Sequence, residues 1–181
     1  MVRLKEVYQK EVVPQMMKKF DFKNPMRTPK VEKVCINIGI GEARNDPKLL
    51  DLAKKNLALI TGQQPVVTKA KKSISSFHLR KGMAIGCKVT LRGERMYEFL
   101  ERFFNLAIPR IRDFHGIPLN LLDGQGNLTM GVRDQLIFPE VDYEDARKLP
   151  GLSVTIVTTT YTNEEAEELL RLLGMPFQRR D

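Results

Sequence analysis

Residues 65–92 read PVVTKAKKSISSFHLRKGMAIGCKVTLR. Two apolar runs, 65–70 and 84–92, enclose a polar segment, and in the second run apolar and polar residues alternate with the period of a half-buried strand. Two strands joined by a loop alone pair antiparallel, because a parallel pair needs a long crossover connection. The stretch therefore predicts an antiparallel sheet with a long loop, Lys71 to Met83, between two of its strands.

The same alternation recurs upstream in Val31–Ile40, where every second residue from Val34 onward is apolar. The opposite face of that strand carries Lys33, Cys35, Asn37 and Gly39. If the apolar face packs inward, the other face is left open to solvent. Combined with the strand at 84–92, the prediction is an open face that carries Lys33, Asn37, Lys88, Thr90 and Arg92.

Helical periodicity and capping signals complete the pattern. Predicted helices cover residues 2–20 (with Pro14 kinking it or beginning its second half), 46–61, 94–107 and 162–174, and further strands cover 128–132 and 152–161. The acidic cluster at 142–145 is predicted to be a solvated turn. The fold class is α+β: a mainly antiparallel sheet with helices packed on one face, the other face left open, and a long basic loop between two strands.

Chain length favours one core and hence a single domain, 1–181. Within it we expect an N-terminal helix at 2–20, then the sheet, helices and basic loop at 30–107, and C-terminal strands and a helix at 128–177. Apolar runs are too short for a membrane span, and the N-terminus lacks the pattern of a secretory signal. Cys35 and Cys87 are expected to be free thiols, and the protein to be cytoplasmic.

Positive charge is concentrated in one segment of a chain whose net charge is +8. Residues 52–93 contain nine basic and no acidic residues, whereas the rest of the chain holds 21 basic and 22 acidic residues. A run of like charge is often only a solvated face or a disordered tail. This one lies mid-chain and is interleaved with apolar residues, so contact with nucleic acid is favoured, and a membrane surface is the weaker alternative.

Catalytic and cofactor motifs are not found in the sequence. Gly39-Ile40-Gly41 lacks the third glycine of a dinucleotide fingerprint, since Arg44 stands there, and no GxSxG motif occurs. His78 and His115 belong to no metal-ligand or catalytic motif. We therefore expect no enzyme activity, no cofactor or metal and no small-molecule substrate. Phe77, inside the basic loop, is predicted either to stack on a base or ribose or to be a local packing anchor.

Seven segments carry a resemblance to a known family: Pro29–Val34, Ile36–Ala43, Ile60–Gln63, Thr68–Ser73, Gly86–Met96, Pro109–Phe114 and Gln135–Glu140. They closely resemble the bacterial large-subunit ribosomal proteins traditionally numbered five, which bind 5S ribosomal RNA in the central protuberance; the open face is therefore implied to be open for RNA. The segments span nearly the full length of the chain. The resemblance implies a structural, ribosomal role, with other 5S-associated large-subunit proteins as neighbours.

The resemblance also implies two RNA surfaces. Asn37, Gln63 and Thr90 match the family's residues that contact 5S ribosomal RNA (rRNA). The loop from Lys71 to Lys81 is implied to reach transfer RNA (tRNA) in the peptidyl site. Its implied phosphate contacts are Lys71, Lys72, Arg80 and Lys81, its hydrogen-bond donors are Ser73, Ser75 and Ser76, and Phe77 lies among them.

A third implied contact is with a protein of the small-subunit head, which we expect within residues 110–147. Two rival hypotheses stay open at this point: a free-standing RNA chaperone or regulator that uses the same basic loop, and an enzyme with an unrecognised site. Co-migration with large ribosomal subunits separates the ribosomal hypothesis from the free-standing one.

Overall fold

A computed structural model describes residues 3–41, 47–112 and 114–178. The helices are α1 (Arg3–Val7), α2 (Val13–Phe20), α3 (Pro47–Thr61), α4 (Gly93–Arg102), α5 (Tyr143–Lys148) and α6 (Asn163–Leu172), and the strands are β1 (Val31–Gly39), β2 (Val66–Lys69), β3 (Ala84–Leu91), β4 (Leu128–Val132) and β5 (Leu152–Thr158). The α+β class predicted from the sequence is confirmed. Residues 2 and 46, where two of the predicted helices begin, lie outside the described ranges.

Five strands form one sheet in the order β2-β3-β1-β5-β4. Residue pairs across neighbouring strands give their directions. Strand β2 pairs antiparallel with β3, and the amide of Ile40 donates to the carbonyl of Ile85 at 2.8 Å. Cys35 meets Thr90 where Ile40 meets Ile85, so β1 and β3 run antiparallel. Lys30 meets Thr159 and Asn37 meets Ser153, so β1 and β5 are also antiparallel. The same holds for β4 and β5, where Asn127 meets Thr158 and Thr129 meets Thr155. The predicted antiparallel sheet is therefore present.

Contacts within the chain divide it into two compact units. The first unit comprises residues 1–34, 91–130 and 155–181, and the second comprises residues 35–90 and 131–154. The single-domain assignment of residues 1–181 stays a prediction.

In the first unit, a π-helical turn at Tyr8–Val12 connects α1 to α2. Pro14 is the second residue of α2, directly after the π-helical turn, and the backbone stays helical through Val12 and Val13. Proline has no backbone N–H, so it interrupts the ladder of helical hydrogen bonds at this point. This confirms the prediction that Pro14 begins the second half of the N-terminal helix. Helix α6 starts at a capping threonine, whose Thr162 hydroxyl accepts the amide of Glu165 at 3.4 Å.

In the second unit, the apolar side chains of α3 and of the strands form the core. Leu57 and Ile60 of α3 and Ile36 and Ile38 of β1 are fully buried. Complete burial of such side chains stabilises the fold by about 1.5–3 kcal/mol each. Helix α3 ends at Gly62, which adopts φ +66°, a left-handed conformation that glycine accepts without strain. The alternate residues of β1, from Lys33 to Gly39, are left partly or fully exposed.

One sequence-based prediction was wrong. Residues 142–145 are not a solvated turn, because Tyr143–Lys148 forms the short helix α5. The Asp145 carboxylate lies 3.2 Å from the Lys55 ammonium of α3 and is largely buried. An ion pair between a short helix and a neighbouring one leaves no signal in a local pattern of acidic residues.

Candidate nucleic-acid interface

One face of β1 and β3 in the second unit carries polar side chains and one glycine, and we call it the open face: Cys35, Asn37, Gly39, Lys88 and Thr90. The sulfur of Cys35 lies 3.8 Å from the hydroxyl oxygen of Thr90, so these two side chains share a face across neighbouring strands. Asn37 and Lys88 are exposed, and Cys35 and Thr90 are half-buried. The structure thus brings together the predicted residues Asn37, Lys88 and Thr90.

Gln63 is attached to this face by its side chain. The Gln63 amide nitrogen donates to the carbonyl of Thr90 at 3.4 Å. At the end of α3, the Thr61 hydroxyl donates to the Leu57 carbonyl at 2.7 Å and accepts the amide of Gln63 at 3.3 Å, which fixes the chain where it leaves the helix. The bond to Thr90 leaves the Gln63 side-chain oxygen available as an acceptor.

A hydrogen bond from the neighbouring strand β5 holds the main chain of Asn37. The hydroxyl of Ser153, on β5, donates to the Asn37 carbonyl at 3.4 Å. This bond uses the main chain of Asn37 and leaves its exposed amide side chain available. Ser153 was missed at the sequence level, because pairing between strands so far apart along the chain has no local signal.

The predicted cations Lys33 and Arg92 belong to the first unit, and both are ion-paired. The Glu32 carboxylate lies 3.2 Å from Arg92 and 3.9 Å from Lys33. These pairs are exposed, so water weakens them. A phosphate group would compete with Glu32 for the two cations. Lys88 differs, because within the described ranges no carboxylate lies within 4.0 Å of its ammonium.

The predicted long loop is an ordered hairpin, which we call the basic hairpin (residues 71–83). Ile74 and Leu79 exchange two backbone hydrogen bonds of 2.9 and 3.0 Å. At the base of the hairpin, the Ala70 amide donates to the Met83 carbonyl at 2.8 Å. At the tip the amide of His78 donates to the Ser75 carbonyl at 2.9 Å. His78 has φ +51°, a left-handed conformation that closes the turn.

The surface of the basic hairpin is cationic and carries exposed apolar groups. Its exposed basic side chains are Lys71, Lys72, Arg80 and Lys81. In the part of the chain that the structure describes, none of them has a carboxylate within 4.0 Å. Phe77 at the tip is 65% exposed. Cations on the same hairpin as an exposed ring are the chemistry expected of a surface that binds a polyanion with stackable bases.

The three predicted serines differ in their surroundings. The Ser73 hydroxyl accepts the Lys81 amide at 3.0 Å, a bond that crosses the hairpin and keeps the Ser73 proton available for donation. Ser75 uses its carbonyl in the tip turn, and Ser76 is exposed beside it.

Neither cysteine forms a disulfide. Cys87 is fully buried, and burial raises the pKa of its thiol, which keeps it neutral at physiological pH. Among the described residues there is no cluster of three or more potential metal ligands. No helix in the described ranges has the length and apolar character needed to span a bilayer.

An exposed polar sheet face and a cationic hairpin in one unit are features of the RNA-binding class of α+β proteins. Comparison with known proteins narrows this class. The family model described as "Ribosomal protein L5" matches residues 24–80, and the model that describes the C-terminus of the same ribosomal family matches residues 84–177. The chain belongs to the ribosomal protein L5 family.

Similar relatives are named "Large ribosomal subunit protein uL5". That of Caldanaerobacter subterraneus subsp. tengcongensis is 59% identical over 179 residues, covering 99% of this chain and all of the relative. That of Thermoanaerobacter sp. (strain X514) is 58% identical over 179 residues, with the same coverage of 99% and 100%. That of Dictyoglomus turgidum is 57% identical over 176 residues, covering 97% of this chain and 98% of the relative. Family membership confirms the predicted resemblance, the non-enzymatic role and the ribosomal, cytoplasmic location.

Proposed function

We propose that this chain is a structural component of the large ribosomal subunit that binds 5S rRNA through its open face. The observation that supports this most is the group formed by Asn37, Thr90 and Gln63, in which hydrogen bonds hold the Gln63 side chain and the Asn37 main chain while the Asn37 side chain stays exposed. Groups that are already positioned lose little conformational entropy when they bind a rigid partner.

RNA helices and loops offer the partners that such groups need. Asn and Gln amides both donate and accept, and a Thr hydroxyl does the same, so they can bind a ribose 2′-hydroxyl, a base edge or a phosphate oxygen. Lys88 adds a positive charge to the same face. In the first unit, Lys33 and Arg92 are proposed as separate contacts to 5S rRNA, for which a phosphate would compete with Glu32. Contacts to sugar and phosphate fix the position of a protein on RNA, and contacts to base edges make it selective.

The basic hairpin is proposed to contact tRNA in the peptidyl site. Its four cations would neutralise phosphates, and its serine hydroxyls would donate to phosphate oxygens. Phe77 would stack on an exposed base or ribose. Residues 110–147 are proposed to include the contact with a protein of the small-subunit head, and other 5S-associated large-subunit proteins are proposed as neighbours.

Titration of 5S rRNA with the purified protein tests the main proposal. Asn37→Ala and Thr90→Ala should each weaken binding about tenfold, because each removes a hydrogen-bonding group from the contact surface. Thr129→Ala is a matched control, since it removes an exposed strand hydroxyl that bonds Thr155 and is not among the residues proposed to contact 5S rRNA. Equal affinity of wild type, Asn37→Ala and Thr90→Ala would refute the assignment of the open face.

A further inference from the structure

Two glycines stand next to each other on β1 and β3, and the fold explains only one of them. At Gly86 an added Cβ would collide with the backbone carbonyl oxygen of Ile38 and would approach the Thr68 hydroxyl at 3.2 Å. Gly86 is therefore required for the close approach of β3 to β1. The Cα of Gly39 lies 3.3 Å from the same Cβ position, so bare main chain occupies both strands at this point.

The packing of the strands does not require glycine at position 39. A Cβ added at Gly39 meets nothing within 4 Å, and its φ lies outside the left-handed range that favours glycine. A glycine in a strand loses more conformational entropy on folding than alanine, which destabilises the folded state. The protein thus carries a destabilising residue at a position where the fold would accept a side chain.

The surroundings of Gly39 indicate which kind of group can pack where a side chain would otherwise stand. Gly39 is exposed and follows Asn37 by two residues on the same face of β1, a distance of about 7 Å along the strand. Beyond it, Gly39 and Gly41 line a groove of about 470 Å³ whose wall includes Lys148 at the end of α5. Lys148 is exposed, and no described carboxylate lies within 4.0 Å of it.

We propose that the sugar–phosphate backbone of the bound RNA packs directly on the bare main chain at Gly39, with one phosphate meeting Lys148. The inference rests on the proposed binding of RNA by the open face and extends it to a second subsite. A side chain at position 39 would stand up from the sheet and lift the RNA away from Asn37. Glycine at position 39 is then a requirement of binding, whereas glycine at position 86 is a requirement of folding.

The test compares alanine variants at three glycines by 5S rRNA titration and thermal unfolding. Gly39→Ala should weaken binding about tenfold, on the order of one lost hydrogen bond to the RNA, while its unfolding temperature equals or exceeds that of wild type. Gly39→Val should weaken binding further. Gly131→Ala is the matched control, because Gly131 is also an exposed strand glycine with open space around it and an ordinary φ, and it should bind like wild type. Gly86→Ala should lower the unfolding temperature.

Lys148 supplies an independent measurement. In a plot of log binding constant against log salt concentration, Lys148→Gln should reduce the steepness by about 0.7–0.9, the value for one phosphate contact. Lys148→Arg keeps the charge and should leave the slope unchanged. An unchanged slope in Lys148→Gln would contradict the phosphate contact.

The outcomes separate this inference from the proposed function. If wild type fails to bind 5S rRNA, or if Asn37→Ala and Thr90→Ala bind like wild type, the proposed function fails. If those variants are weakened but Gly39→Ala and Gly39→Val bind like wild type, only the inference about Gly39 fails. It also fails if Gly39→Ala is less stable than wild type, or if Gly131→Ala weakens binding equally.

Discussion

The open face and the basic hairpin belong to the same unit but differ in their polar groups, which are mainly neutral on the open face and cationic on the hairpin. On the open face, the amide of Asn37 and the hydroxyl of Thr90 stand beside the cation Lys88, and hydrogen bonds of 3.4 Å hold the Gln63 side chain and the main chain of Asn37 to neighbouring strands. In the basic hairpin, the main chain is fixed by the Ile74–Leu79 bonds, but the four cationic side chains have no described carboxylate within 4.0 Å.

This difference indicates a division between selectivity and electrostatic attraction. Fixed neutral donors and acceptors discriminate between partners by geometry, and their contribution changes little with salt. Long cationic side chains attract any phosphate backbone, and their contribution falls steeply as salt rises. The two regions should therefore respond differently to substitution and to ionic strength.

Neutralising the basic hairpin should have the largest effect. Replacing Lys71, Lys72, Arg80 and Lys81 by glutamine removes four phosphate contacts, so the affinity of the isolated protein for tRNA should fall on the order of a hundredfold at low salt, and the salt dependence should become shallower by about 3. Affinity for 5S rRNA should be nearly unchanged. A matched control carries glutamine at Lys18, Lys23, Lys30 and Arg133, which are exposed and lie outside residues 52–93. Loss of 5S rRNA binding in the hairpin variant would mean that the two surfaces have been divided wrongly.

Substitution of Phe77 should have an intermediate effect on tRNA binding, and its result decides between the two predicted roles of the ring. If the ring stacks on RNA, Phe77→Ala should weaken tRNA binding about tenfold, within the range of one lost stacking contact, with an unchanged unfolding temperature. Tyr161→Ala removes a ring that is 89% exposed elsewhere in the chain and should have no effect. A lower unfolding temperature with unchanged tRNA binding would assign Phe77 to local packing.

Substitution of Gln63 should have the smallest of the three effects on RNA binding. Gln63→Ala removes one amide group and the bond to Thr90, so 5S rRNA binding should weaken about fivefold, on the order of 1 kcal/mol. Gln64→Ala, at the neighbouring exposed residue, should bind like wild type. If both variants weaken binding equally, the contribution of Gln63 is not specific.

The strands and helices could largely be predicted because their signals are local. Alternation in β1 and β3, Pro14 in α2 and Gly62 after α3 each depend on residues within a few positions of one another. The open face followed from the same alternation. These features need no knowledge of the rest of the fold.

Features that depend on distant partners could not be predicted. The ordered tip of the basic hairpin depends on the left-handed His78, which the sequence does not distinguish from any other loop residue. The ion pair of Arg92 with Glu32 and the bond from Ser153 to Asn37 join residues 60 and 116 positions apart. Local sequence does not distinguish Gly39 from Gly86, because only in the folded chain would a Cβ collide at position 86 and meet open space at position 39.

A footprint of the protein on 5S rRNA tests the central claim most directly. Hydroxyl-radical cleavage of the RNA should show one protected region with wild-type protein, the same region with the protein neutralised at Lys71, Lys72, Arg80 and Lys81, and weaker protection with Asn37→Ala at equal concentration. Unchanged protection with Asn37→Ala together with lost protection in the hairpin variant would contradict the account, because 5S rRNA would then bind through the hairpin rather than through the open face.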